Sequence, residues 1–248
     1  MKIKITKVSV PNLMSLCKKM LLMDTSIYLN VDPDHVWSSV FTPTKDVVKS
    51  IHLPAKDVFT FDTPLTETIK LSFHSGQKLL NCLGYFDPHN LTAEISAFKD
   101  EDDGIVYAEK IIFRDNQLKI EVYCQDISLG FTAMSDDQIK RAFDTSSEKF
   151  KFKLASEDFN KLLSLQTLDK SELFTIYSDA QGVHVKSESF DIIIDDHVKE
   201  THAPSAIFKS FLARVDKETY DAIVCENKIL LISTESNSKI ALNLAILD

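Results

Sequence analysis

Two apolar periodicities alternate along the chain, and the alternation occurs twice. Lys2 to Ser9 interleaves Ile and Val with polar residues, a period of two that predicts a strand with one buried face. Phe150, Phe152 and Leu154 alternate in the same way within Lys149 to Ala155. Each segment runs directly into helical spacing. After the first, Pro11 stands where an opening proline is tolerated. Leu13, Leu16, Cys17, Met20 and Leu21 then form one stripe and leave Ser15, Lys18 and Lys19 on the other side. After the second, Ser156 reads as an N-cap with Glu157 and Asp158 in the first turn. Phe159, Leu162, Leu163 and Gln166 or its neighbours face inward there, and Asn160, Lys161 and Ser164 outward.

A further pair of helices follows the same logic. His74 to Gly84 directs Leu79, Leu80, Leu83 and then Phe86 inward, leaves Gln77, Lys78 and Asn81 outside, and stops at Gly84. Its counterpart begins near Pro204 and Ser205, buries Phe208, Phe211, Leu212 and Val215, and exposes Lys209, Ser210, Arg214 and Lys217. Three strand-like runs close each half: Leu91 to Phe98, Ile105 to Phe113 and Leu118 to Cys124 in one, Tyr220 to Cys225, Ile229 to Thr234 and Lys239 to Leu247 in the other. Each half therefore reads as strand, helix, several strands, helix and an antiparallel three-strand meander. Between them the polar stretch Ser135 to Glu148, with Ile139, Ala142 and Phe143 as its few apolar residues, reads as a linker. The expected organisation is α+β, with domains over 1–134 and 149–248 joined by 135–148.

Composition narrows the function. With 248 residues, 44% of them hydrophobic and 26% charged, the chain is long enough for two cores that need neither metal nor disulfide. Cys17, Cys82, Cys124 and Cys225 are scattered without a CxxC spacing and read as small buried residues. No run approaches the roughly 18 apolar residues of a membrane helix. Met1 to Lys7 alternates charge with Ile instead of forming a signal peptide, so a soluble protein with no membrane partner is expected. A net charge of −9 argues against a surface uniformly attractive to nucleic acid. Yet Lys18, Lys19, Lys78, Lys161, Lys209, Arg214 and Lys217 all lie in the four predicted helices, off their apolar stripes. On one amphipathic helix such lysines are ordinarily a solvated face; their recurrence over four helices points to a locally basic surface.

Other chemistry finds little support. Asp195, Asp196, His197, Glu200 and His202 are ligand types without a recognised zinc spacing and read as a solvated loop. Asp100 to Asp103 reads as a hairpin tip, since an EF-hand requires a longer loop ending in Glu between two helices. There is no phosphate-cradling glycine motif and no nucleophile elbow, so no metal, cofactor or catalytic residue is expected.

Two stretches carry a family resemblance. KFKFKLASEDFNKLLSLQTLDKSELFTIYSDAQGVHVKSES, Lys149 to Ser189, resembles the opening of the second domain of a DNA sliding clamp. FKSFLARVDKETYDAIVCENKILLISTESNSKIALNLAIL, Phe208 to Leu247, resembles the last inner helix and closing strands of that domain. In the first half the likeness rests on the order of elements and on Pro11 to Asp24 and His74 to Phe86 as helices. The group is that of proliferating cell nuclear antigen, and more particularly the clamps of tailed phages.

The resemblance implies the DNA clamp fold: two repeated domains with antiparallel sheets outside and two amphipathic helices per domain lining a ring bore. Six such units close a ring, so two per chain imply a homotrimer around double-stranded DNA. It would tether a DNA polymerase as processivity factor and be placed by a clamp loader ATPase. The seven basic residues would face DNA. A partner peptide pocket would involve Leu129, Phe131, Met134, Ile139, Phe143, Ile246 and Leu247, for each of which ordinary core or interdomain packing is the alternative. Ile105 to Phe113 and Leu173 to Tyr177 or Phe190 to Ile194 stand as edge strands able to pair across subunits. A phage origin implies the host cytoplasm, a cellular one the cytoplasm or nucleus. A clamp-like viral factor acting as monomer or heterodimer, and a β-rich hydrolase with a site assembled from distant residues, remain the alternatives.

Overall fold

In the computed structural model, residues 1–125, 133–168 and 170–245 are described. The alternating N-terminal segment forms β1 (Lys2–Val8), which buries Ile3, Ile5 and Val8 and exposes Lys2, Lys4, Thr6 and Lys7. A register shift between Ile5 and Lys7 lets Val8 return to the buried face after two exposed residues. The helical stripe beyond it forms α1 (Val10–Leu21), with Pro11 in its first turn and Val10, Leu13, Leu16, Cys17 and Met20 buried. Then come β2 (Ile27–Val31), β3 (His35–Phe41), β4 (Val47–Pro54), α2 (Ala55–Val58), β5 (Phe59–Phe61) and β6 (Ile69–Phe73). Helix α3 (Gly76–Leu83) is capped by the Ser75 side chain and precedes β7 (Thr92–Lys99), β8 (Val106–Arg114) and β9 (Lys119–Tyr123).

These elements make up most of a first compact unit, Met1–Val40 with Ile51–Ala133. Its strands lie in the order β3, β2, β6, β8, β7, β1, β5, with β9 added along β8. Pairing is antiparallel except where β6 meets β8, parallel at Ile69 with Val106 and Lys70 with Tyr107. Helices α1 and α3 pack together. Their approach leaves no room at Gly76, where a Cβ would stand 2.5 Å from Ile27 Cδ1 and 2.7 Å from Leu21 Cδ2.

The second unit joins Phe41–Ser50 to Met134–Asp248. It contains α4 (Asp136–Ala142), β10 (Glu148–Leu154), α5 (Ser156–Leu165), β11 (Leu173–Asp179), β12 (Gly182–Lys186), β13 (Asp191–Asp195) and β14 (His202–Phe208). A 3-10 turn over Lys209–Ala213 leads to β15 (Tyr220–Cys225), β16 (Lys228–Ser233) and β17 (Ser238–Asn243). One sheet runs β10, β15, β16, β17, and a separate one runs β13, β12, β11, β14. Residues 41–50 belong here because their backbone and side chains bond within this unit. Asn243 donates to the Asp46 carbonyl at 2.9 Å, Ser210 to the Asp46 carboxylate at 2.9 Å, and the wholly buried Lys49 ammonium lies 3.0 Å from Asp216. Apart from α2 and β5 in the first and α4 in the second, both units follow the order strand, helix, four strands, helical segment, three strands.

Three sequence expectations are corrected. The second helix of the C-terminal half does not begin at Pro204: residues through Phe208 form β14, paired with β11 from Leu173 opposite Phe208 to Ser178 opposite His202. Phe208 is therefore 39% exposed and Lys209 only 8%, the reverse of the helical reading. Pro204, which lacks an N–H and has a fixed φ, suits a sheet-edge strand better than a helix interior. Helix α5 has Ala155, not Ser156, at its N-cap, without a side-chain cap. Finally, β8 and β11 lie inside their sheets, whereas β13 and β9 are edges.

Gly182 closes the β11–β12 hairpin at φ +149°, where a Cβ would also meet the Asp195 carbonyl oxygen at 2.4 Å. Gly182→Ala is expected to destabilise the fold by about 1–3 kcal/mol in urea titration, because both the backbone region and the space exclude a side chain. Asp216→Asn, which removes the carboxylate 3.0 Å from the buried Lys49 ammonium, is expected to cost about 3–5 kcal/mol in the same assay.

Candidate nucleic-acid interface and partner surface

In the first unit the outward faces of α1 and α3 are basic and carry no acid. Burial of Leu13, Leu16, Cys17 and Met20 turns Asn12, Ser15 and Lys18 to solvent, with Lys19 half-buried; burial of Leu79, Leu80 and Leu83 does the same for Gln77, Lys78 and Asn81. Neither helix contains Asp or Glu. Lys18 and Lys19 also occupy the last turn of α1, where a cation is favoured by the helix dipole.

The second unit differs. Lys161 is exposed on α5 but donates to Asp158 at 2.7 Å, and Glu157 stands exposed beside it, so this helix is not net basic. Lys209 is withdrawn from solvent with its ammonium 5.1 Å from the centre of the Phe174 ring, a cation–π contact, and is not a DNA-facing group. Arg214 is half-buried and Lys217 exposed, both in the turn after the 3-10 segment. The structure thus brings Lys18, Lys19 and Lys78 onto one helix pair and leaves Lys161, Arg214 and Lys217 as separate charges on a mixed surface.

An apolar patch, the candidate for the expected partner pocket, lies on one face of β15, β16 and β17. Val48, Ile223, Cys225, Leu230 and Ala241 form a buried apolar cluster, covered by the half-buried Phe41, Met134, Ala142, Phe143 and Ile232. Met134 and Phe143 therefore reach this surface. Ile139 is half-buried one turn before Phe143 on α4, and Leu129, Phe131, Ile246 and Leu247 lie outside the described residues. Sequence reasoning missed Phe41, Val48, Ile223, Leu230 and Ala241. Their signal is that β15 and β16 are apolar on both faces: Ala222, Val224, Ile229 and Leu231 are buried on one side while Ile223 and Leu230 are buried on the other.

Two polar clusters remain. His184 on β12 lies 3.0 Å from Asp191 and 3.1 Å from Asp179, and its ring stacks on Tyr177 at 4.6 Å. The Tyr177 hydroxyl donates to Asp191 at 2.7 Å, a bond that pushes its pKa up to about 12. This network ties the edge strand β13 to β12 and β11. Asp195, Asp196 and His197 come within 4.8 Å of one another, but the Asp195 carboxylate is taken up by the Lys153 amide at 2.7 Å and the His197 amide at 2.9 Å. Burial raises its pKa; these bonds and the His197 ring outweigh that and hold it below the usual range. The first unit also has an open cleft of about 470 Å³ between β1 and residues 62–67. Of its carboxylates, Glu67 pairs with Lys99 at 2.6 Å, and no histidine or cysteine lines it.

No protein-family model and no curated protein matches this chain in sequence. Solved structures do. The A. fulgidus PCNA chain, solved with the C-terminal region of FEN-1, superposes with a TM-score of 0.66 at 11% identity, over 99% of this chain and 99% of that one. This chain has the sliding-clamp fold. PCNA from Thermococcus kodakaraensis gives a TM-score of 0.63 at 11% identity over 98% and 99%. The Bacillus subtilis DNA polymerase sliding clamp gives 0.63 at 12% identity, over 100% of this chain but 65% of its own length. Among the described residues no helix of this clamp fold is long and apolar enough to cross a membrane.

A carboxylate with a depressed pKa stabilises the folded state fully above its unfolded value and loses that contribution as pH falls through its folded value. Asp195→Asn is therefore expected to flatten the decline in urea stability below about pH 4, the unfolded carboxylate range, because Asp195 no longer has to be protonated. An unchanged acid limb would show that the Lys153 and His197 bonds contribute nothing to stability.

Proposed function

We propose that the protein is a non-enzymatic sliding clamp: a homotrimeric ring that encloses double-stranded DNA and tethers a replicative DNA polymerase, after placement by a loader ATPase. The observation that carries this reading is the superposition on a PCNA chain over 99% of both chains, which leaves neither molecule a large additional element. The acid-free basic face of α1 and α3, in a chain of net charge −9, supports it independently. Phosphate contacts from such a face carry no sequence information and weaken with salt, which suits sliding. Retention then comes from enclosure rather than affinity. The likeness to tailed-phage clamps rests on the sequence alone, and with it the host cytoplasm as location.

Closure needs two complementary edges. In the first unit β9 pairs only with β8, and in the second β13 pairs only with β12 among the described strands. Their outward residues include Tyr123, 68% exposed, and Ile193, 44% exposed, with Lys119 on β9 and Asp191 on β13. We infer that β9 of one copy pairs with β13 of the next, a head-to-tail contact that generates a ring. The domain division at 135–148 belongs to the same reading.

Light scattering on the native protein is expected to give about three times the chain mass of 28.1 kDa. Ile193→Asp should shift it to the mass of one chain, and a wild-type protein that stays a monomer at high concentration would sink the ring. For DNA, Lys18→Ala with Lys78→Ala should reduce the slope of log affinity against log salt by roughly 0.9 for each phosphate that is no longer neutralised. Lys209→Ala should leave that slope unchanged, since its ammonium is buried over Phe174.

A further inference from the structure

The apolar face of β15–β17 is covered by Phe41 and Ile232 and, around α4, by a segment with almost no hold of its own. Helix α4 has seven residues and none of them is buried. A helix this short is not stable in isolation, because so few hydrogen bonds cannot offset its nucleation. Its N-terminus is closed locally: the Ser135 hydroxyl accepts from the Gln138 amide, and the Gln138 side chain accepts from the Ser135 amide at 2.9 Å. Its C-terminus is held by Lys228, buried to 7% exposure, whose ammonium donates to the Arg141 carbonyl at 2.6 Å. The remaining attachment is apolar, through Met134, Ala142 and Phe143 lying on the Ile223, Leu230, Ala241 and Val48 cluster.

The two sides of this contact are unequal. The cluster belongs to strands paired along their length, with Leu230 and Ala241 at 2% and 1% exposure, so it always needs an apolar cover. The strap needs the cluster only at Phe143 and its neighbours. Few buried contacts and hydrogen bonds open to solvent mark a segment that detaches well below the free energy of global unfolding.

We propose that α4 with Phe143 is a displaceable strap: it occupies the outer apolar face of β15–β17 in the free protein, and a partner segment gains that face by taking its place. The inference rests on reading this face as the partner surface. The vacated positions define the chemistry of the incoming segment. It carries an aromatic or large aliphatic side chain where Phe143 lay, and a carbonyl or carboxylate oxygen to accept from Lys228, because a buried ammonium left without an acceptor is strongly disfavoured. Being tethered, the strap competes at high effective concentration, so partners with weak anchors are excluded.

Hydrogen exchange on the wild-type protein tests the strap directly. Amides 139–143 are expected to exchange at least tenfold faster than those of 229–232; equal protection of the two sets would overturn the inference. A synthetic peptide of residues 134–147, added in trans, supplies the second arm. It should bind Phe143→Ser, whose own strap has no anchor, at least tenfold more tightly than it binds wild type. Equal binding to both, or none to the variant, would overturn the proposal, and if Phe143→Ser fails to fold the exchange measurement decides. Neither readout depends on ring closure. A monomer in light scattering whose strap opens would contradict the clamp and keep the strap, whereas a trimer with equal protection would do the reverse.

Discussion

A sheet with one apolar face must be covered, and in each unit the cover is a pair of short helical segments whose polar sides are then turned away from the sheet. That cover decides where surface charge can gather. In the first unit the strands bury Ile3, Ile5, Ile95, Ile111 and Phe113, while α1 and α3 bury Leu13, Leu16, Leu79 and Leu83. With those positions committed to the core, the sequence is free to choose only the solvent side of each helix, and there it places lysine, asparagine, glutamine and serine and no acid. A chain of net charge −9 can thus be basic in one place because packing has already decided which residues share that place.

The second unit obeys the same constraint with a different result. Phe159 and Phe211 meet edge to face at 6.3 Å, so α5 and the 3-10 segment still join over the core. Yet Asp158 neutralises Lys161, and Lys209 is drawn beneath the surface by the Phe174 ring. The two repeats are alike in the order of their elements and unlike in charge. An additional demand appears here, since β15 and β16 are apolar on both sides and need a second cover. Residues from both ends of the unit supply it: Phe41 from the strand segment that joins from the N-terminal half, and Met134, Ala142 and Phe143 around α4.

Much of this was legible in the sequence. Alternation over Lys2 to Val8, broken only at Thr6 and Lys7, and over Glu148 to Leu154, and the stripes of α1, α3 and α5 are local signals, and local signals survive folding. The fourth helix was not legible, because Phe208, Phe211, Leu212 and Val215 satisfy helical spacing whether or not the chain before them is extended. Only the pairing of β14 with β11, a contact between residues far apart in sequence, decides for the strand. Lys209 then changes from a surface charge to a buried one with no change in local pattern. The apolar patch proposed as the partner surface was half legible. Phe143 in the linker and Met134 just before it were named as pocket candidates, while the face they cover lay in strands that any reading assigns to a core. A two-sided apolar strand is the signal that was there to be used.

The central claim is enclosure, and it can be measured without a loader. The protein is allowed to thread onto linear duplex DNA at low salt, the ends are then blocked with biotin and streptavidin or left open, and the bound fraction is followed through a high-salt wash. A ring should remain on the blocked DNA and leave the open DNA, because salt removes phosphate contacts but not topology. Equal loss from both would contradict enclosure, since a protein held only by charge has no reason to distinguish a blocked end from an open one.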